Sequence, residues 1–155
     1  MGLIQVYMRP EQIVSAGDIF NRLTCPIVFD HVGALSPIGT EHPAFDVLRR
    51  LIEKGQTWVK LSGAYLDPKA GPDGAVVMGH TTDYSKAGVV AKAFLKLAPE
   101  RMVWGSDWPH PTLAATEKAN DATLFDLLLD WAPDERLRHR ILVENPETLY
   151  GFSTA

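Results

Sequence analysis

The stretch Arg101-Met-Val-Trp-Gly-Ser-Asp-Trp-Pro-His-Pro111 frames the rest of the chain. Met102 to Trp104 reads as a buried strand that runs out into a loop, and Asp107 is the first ionisable group beyond it. Gly105 removes side-chain bulk just before that carboxylate, and Pro109 and Pro111 stiffen the chain just after it. In α/β enzymes the carboxyl ends of parallel strands are where chemistry is placed. The plainer alternative is an aspartate that caps a helix in a tight turn.

Working outward, strand and helix patterns alternate. Leu3 to Met8 is β-rich, and Pro10 opens a helical pattern through Leu23 with Ile13, Val14, Ile19, Phe20 and Leu23 roughly on one face. Pro26 to His31 predicts a second strand. Pro43 to Lys54 predicts a helix with an apolar stripe, stopped by Gly55. Thr57 to Gly63 predicts a third strand, and Asp67 to Gly79 a long Gly/Pro-rich loop. Tyr84 to Leu97 is helical and Arg101 to Ser106 is the fourth strand. Helices follow at Thr123–Trp131 and Asp134–Val143. Four strands alternating with helices imply βαβ units and a parallel sheet, hence an α/β fold in a single domain, 1–155. Such a sheet has two open edges. It is either a small doubly wound domain or part of something larger.

Composition narrows the partners. The chain has 155 residues, 46% hydrophobic and 22% charged, with net charge −4. That balance argues against nucleic acid or an anionic membrane surface, yet leaves room for a small anionic substrate met by one local basic group. The single Cys25 excludes an internal disulfide and fits a reducing compartment. No apolar run approaches the ~20 residues of a membrane span. With no leader pattern at the start, the expected location is the cytoplasm.

Polar groups collect at the strand ends: Gln5 and Tyr7, Asp30 and His31, Ser62 and Tyr65, Asp107 and His110. A parallel sheet puts all those ends on one side, so His31 and Asp107 are expected to converge within about 15 Å. The pair suits metal binding, or general-base catalysis with an electrophilic partner. Each also has a bland reading: His31 as a satisfied loop histidine, Asp30 as a loop cap, Tyr65 as a rim aromatic or a substrate contact. His42, His80 and His139 read as solvated, Trp58 and Trp131 as core, and Lys60 as a strand-end or surface lysine. Phosphate-loop, dinucleotide, CxxC and GxSxG patterns do not occur.

Four motifs then occur in order: Phe29-Asp-His-Val-Gly33, Trp58-Val-Lys-Leu-Ser-Gly-Ala-Tyr65, Val103-Trp-Gly-Ser-Asp-Trp-Pro-His-Pro111 and Asn145-Pro-Glu-Thr-Leu-Tyr-Gly-Phe152. Together they resemble the amidohydrolase-related (amidohydrolase 2) family, in the branch of 2-pyrone-4,6-dicarboxylate hydrolase and the sugar lactonases. The resemblance runs through almost the whole chain. It implies a TIM-barrel (β/α)8 fold of which only the last four βα units are present, a half barrel. It implies a hydrolase that opens a cyclic ester, with Asp107 as general base for the attacking water and His31 at the active centre. Tyr65, His110, Ser62 and Tyr7 are the candidate substrate contacts. His31 and Asp107 would be ligands only if a metal is used. The resemblance leaves both cases open, a divalent metal (zinc or manganese) or none.

Two departures stand out. The family's first strand carries a His-x-His pair, absent from this chain, and the chain starts where a fifth strand would begin. The family also has an arginine directly after the tyrosine of the Gly-Ala-Tyr motif, where this chain has Leu66. That weakens a dicarboxylate substrate and leaves sugar lactones or neutral-ring esters. The expected partners are a small lactone and either a missing N-terminal half barrel or a second copy in a homodimer. A decarboxylase of the same superfamily, or a catalytically silent folded or binding unit, are the alternatives. The Trp-Pro-His-Pro run and the C-terminal motif favour the lactonase branch.

Overall fold

A computed structural model of the chain describes residues 2–66, 69–70, 76–77 and 83–152. The elements are β1 (Ile4–Val6), α1 (Pro10–Arg22), β2 (Ile27–Phe29), α2 (Pro43–Glu53), β3 (Thr57–Leu61), β4 (Lys69–Ala70), β5 (Val76–Val77), α3 (Ser85–Leu97), β6 (Met102–Trp104), α4 (Asp121–Trp131), α5 (Glu135–His139) and α6 (Asn145–Tyr150). The expected strands and helices are all present, and the strands are shorter than their apolar patterns. β2 and β3 stop early because the chain turns left-handed at His31 (φ 53°) and Gly63 (φ 68°), which ends a ladder.

Local chemistry sets the helix starts. Pro10 and Pro43 occupy first-turn positions, where their missing N–H costs nothing. His42 is not the solvated residue its position suggests. Its Nδ1 accepts the Ala44 N–H at 3.2 Å and so caps α2. Asn120 caps α4, and Asp134 caps α5. The long loop after Tyr65 also departs from expectation. It contains an antiparallel pair, Lys69 opposite Val77 and Ala70 opposite Val76. His80 lies outside the described residues.

β1, β2, β3 and β6 form one parallel sheet in that spatial order. The order never reverses, so the doubly wound alternative, which needs a switch point, is excluded. Right-handed crossovers that all step the same way place their helices on one face. Ile27, Phe29, Val59, Leu61 and Met102 on that face pack with Ile13 and Phe20 of α1, Leu48 and Leu51 of α2, and Val90 and Phe94 of α3. Alternate residues Val28, Trp58 and Val103 point the other way and form a separate small cluster with Leu3 and Leu149.

The C-terminal helix closes against β6. From Glu135 to Tyr150 the backbone stays helical, broken only by a π turn at Arg140–Glu144. Pro146 explains the π turn: it has no N–H, and its ring would strike the carbonyl four residues back, so the helix widens just before it. Asn145 sits at the junction, 4% exposed, and donates from Nδ2 to the carbonyls of Pro99 (2.8 Å) and Met102 (2.6 Å). Asn145→Ala leaves two largely buried carbonyls without that donor and is expected to cost about 2–4 kcal/mol. Chemical denaturation checks this, and a loss below about 0.5 kcal/mol would mean that water replaces the amide.

Candidate functional site

Two loops build the site, and both are bent against their preferences. After β2 the chain passes through His31 (φ 53°), Val32 (φ 48°), Gly33 (φ 68°) and Ala34 (φ 56°); after β6 it passes through Asp107 (φ 66°) and His110 (φ 54°). Every non-glycine residue of positive φ among the described residues lies in these two loops. A β-branched residue such as Val32 is a pronounced outlier there. Such strain costs about 1–3 kcal/mol per residue and clusters where function demands a geometry.

The loops bring His31 and Asp107 together. His31 Nε2 stands 3.5 Å from Asp107 Oδ2. Ser62, just past β3, takes the His31 backbone N–H on its Oγ (3.2 Å) and meets Nδ1 at 2.8 Å. With Oγ accepting from the backbone, its own proton is free to point at Nδ1. That leaves the imidazole proton on Nε2, facing the carboxylate. On the other side, Tyr65 donates its hydroxyl to Asp107 Oδ2 at 2.5 Å. One carboxylate oxygen is thus held by two neighbours, and Oδ1 has no hydrogen bond among the described residues.

Burial sets the protonation. It pushes the Tyr65 hydroxyl well above the usual phenol range, and the bond to Asp107 pushes the same way, so Tyr65 stays a donor. Burial lowers the His31 imidazole below its ordinary 6.5, only partly offset by Asp107 and Asp30, with Lys60 adding to the lowering. The folded chain therefore holds that proton less well than the unfolded chain. The resulting stability is complete above pH 6.5 and is lost as pH falls through the folded value. An imidazole NMR titration should place the His31 midpoint below 6.5; a midpoint above it would mean that Asp107 outweighs burial.

Beneath this site lies a polar layer that the sequence does not announce. Asp30 is not a loop cap. Its Oδ1 pairs with Lys60 Nζ at 2.8 Å and its Oδ2 accepts from Gln5 Nε2 at 2.9 Å. Lys60 is correspondingly no surface lysine, with a side chain 18% exposed. Gly105 lets it pass: a Cβ there would lie 3.2 Å from Lys60 Cδ.

The other expected site residues divide. Tyr7 stands edge-on to His31, ring centroids 4.7 Å apart, and shares a cavity wall with it. Tyr65 is no rim aromatic, since it is fully buried against Asp107. Ser62 is occupied by His31, and His110 is 2% exposed, edge-on to Tyr65, with Nε2 3.1 Å from Asp121 Oδ1. Neither these three nor Asp107 lines the cavity of about 570 Å³ beside His31. Sequence reading missed Asp121 and Asn145. Only Asn145 carried a signal, as the first residue of a quoted motif.

Comparison with known proteins places these features. The amidohydrolase family pattern matches residues 3–152. A 4-sulfomuconolactone hydrolase from Hydrogenophaga intermedia is 34% identical over 96% of this chain and 46% of its own length. A D-galactarolactone isomerase from Agrobacterium fabrum is 38% identical over 81% of this chain and 40% of its own. The chain thus spans about half the length of these curated relatives. An apo crystal structure from Agrobacterium tumefaciens superposes with TM-score 0.82 at 31% identity, covering 99% of this chain and 51% of that one. A Burkholderia multivorans amidohydrolase with bound zinc shares the fold, with TM-score 0.77 at 20% identity. Zinc takes four ligands, or three and a water. Among the described residues no three His, Cys, Asp or Glu groups are placed to hold a metal, and His31 with Asp107 offers two. The donor set of these residues therefore does not make a zinc centre by itself. The motif order, the parallel sheet and the strand-end His31–Asp107 pair agree with the family match: this chain belongs to the amidohydrolase family.

Proposed function

We propose that residues 1–155 are one domain, the C-terminal half of a (β/α)8 barrel, and that the complete barrel hydrolyses a lactone. The unreversed strand order with helices packed on one face supports the half barrel. So does similarity to about half of each relative. The observation that carries the chemistry is Asp107, held through Oδ2 by Tyr65 and facing His31 Nε2 at 3.5 Å. Water attacks the lactone carbonyl while Asp107 Oδ1 takes its proton. The His31 Nε2–H, facing Asp107 Oδ2 at 3.5 Å, orients that base beside the carbonyl. Collapse breaks the ring C–O bond, the departing alkoxide takes the proton back from Asp107, and the product is the hydroxy acid. No step runs through a metal. In a barrel that used zinc or manganese, His31 and Asp107 would be the ligands from this half.

A second reading has one observation in its favour, the relative named as a lactone isomerase. There the substrate's own hydroxyl replaces water, with the same base. Running the reaction in ¹⁸O-water separates the two: hydrolysis puts the label in the product and isomerisation does not. Within the described residues no helix is long and apolar enough to cross a membrane. With the lone Cys25, a cytoplasmic protein is our reading.

The 155-residue chain alone is expected to turn over lactones poorly and to self-associate. Among the described residues β1 and β6 are open edges, and Val28, Trp58 and Val103 lack facing strands. Two copies pairing edge to edge are the simplest closure. Turnover should appear when the N-terminal half of a relative is supplied. A clean monomer on size exclusion that hydrolyses lactones at ordinary enzyme rates would overturn the half-barrel reading.

A further inference from the structure

The segment just ahead of α4 holds a cation that nothing above uses. Lys118 Nζ donates to two backbone carbonyls, His110 at 2.7 Å and Leu113 at 3.0 Å. It makes no ion pair among the described residues. An ammonium placed on two carbonyls of one turn clasps that turn. The turn belongs to the loop that carries Asp107. The His110 N–H donates to the Asp107 carbonyl at 2.7 Å, and the Leu113 N–H to the His110 carbonyl at 3.0 Å. The His110 ring stands edge-on to Tyr65, and the Thr112 hydroxyl bonds the same phenol that holds Asp107 Oδ2. Residues 110–113 thus reach both the main chain and the side chain of Asp107.

Backbone strain gives the clasp a purpose. Asp107 and His110 sit at φ 66° and 54°. Such conformations persist only where the surroundings over-determine them. Between β6 and α4 the chain forms no ladder, only a short 3₁₀ turn at Ala115–Glu117, so side chains must supply much of the hold. Charge-assisted hydrogen bonds are the strong ones, and Lys118 makes its two across the middle of this loop. We propose that Lys118 is a positioning residue for Asp107: it locks the 110–113 turn, and through it the Tyr65–Asp107 bond, in the geometry a general base needs. This rests on reading Asp107 as the base of a lactone hydrolase. Lys118 does not line the cavity beside His31 and acts only through the loop.

The test reads the Tyr65 hydroxyl proton of the 155-residue chain by NMR. Buried and bonded to Asp107, it should give a downfield signal that exchanges slowly with water and vanishes in Tyr65→Phe. Lys118→Met keeps the stem and removes the donors, and should speed that exchange about tenfold, the worth of a lost charge-assisted bond. Lys118→Arg can still fork between two carbonyls and should restore slow exchange. Lys54→Met is the matched control: Lys54 Nζ also donates to a backbone carbonyl, that of Asn21 at 2.9 Å, at the opposite end of the strands. It should leave the Tyr65 signal unchanged. In the completed barrel Lys118→Met should lower kcat about tenfold with KM unchanged, because a misplaced base loses rate and not binding. If Lys118→Met fails to fold, Lys118→Gln is read in its place with the same expectations. An unchanged Tyr65 signal in the folded variant, or equal acceleration by Lys118→Met and Lys54→Met, overturns the clasp. So does a faster-exchanging hydroxyl with unaltered kcat. Full turnover by an Asp107→Asn variant would remove the hydrolytic reading whatever the Tyr65 signal does.

Discussion

Asp107→Asn is expected to lower kcat for lactone hydrolysis in the completed barrel by about 10²–10⁴-fold, the usual worth of a positioned general base. The amide has the shape of the carboxylate, and its oxygen still accepts the Tyr65 hydroxyl that now bonds Oδ2. It cannot take a proton from water. The fold should not suffer, because residue 107 sits at φ 66°, a conformation asparagine tolerates at least as well as aspartate. The signature is therefore a lost kcat with an unchanged melting temperature. Near-normal kcat in the folded variant would move the base elsewhere. Lost activity together with a fall of many degrees in melting temperature would make Asp107 a structural residue.

Gly63→Ala should dismantle the site from the far side of His31. A Cβ at residue 63 would lie 2.6 Å from both Cγ and Nδ1 of His31 and 2.8 Å from its Cβ. These atoms are close to the backbone of a strained turn and cannot swing aside as a lysine tip can. The methyl also meets a left-handed backbone, φ 68°, which costs an L-residue roughly 1–2 kcal/mol. Overpacking adds about 1–3 kcal/mol. We expect a total loss of about 2–5 kcal/mol. The imidazole should separate from Ser62 and Asp107, so the His31 titration should move back toward its ordinary value. Gly105→Ala is the matched comparison. Its Cβ would meet Lys60 Cδ at 3.2 Å, a flexible stem that can shift, and φ there is unexceptional. If Gly63→Ala is as mild as Gly105→Ala, the His31 loop is freer than its geometry implies.

What was legible in the sequence is what neighbouring residues impose on one another. Apolar runs such as Met102–Trp104 and Ile27–Phe29 mark buried strands. The stripe of α2 marks its buried face, and Pro10 and Pro43 mark helix starts. From strand ends and parallel order it followed that His31 and Asp107 share one side of the sheet. Partners across the fold were not legible. His31 meets Ser62 31 residues away, and Tyr65 meets Asp107 42 residues away. Polarity tells that a buried group needs a partner, not which one it finds. Asp30 therefore read as a cap until β3 brought Lys60 beside it, and Tyr65 as a rim aromatic or a substrate contact until the fold set it against Asp107. Close approach is equally invisible along the chain: Gly63 looks like any turn glycine until packing places the His31 ring where its side chain would be. Periodicity acts over a few residues and is written locally. Contact, burial and backbone strain belong to the crossovers that set distant strands side by side, and only the tertiary structure decides them.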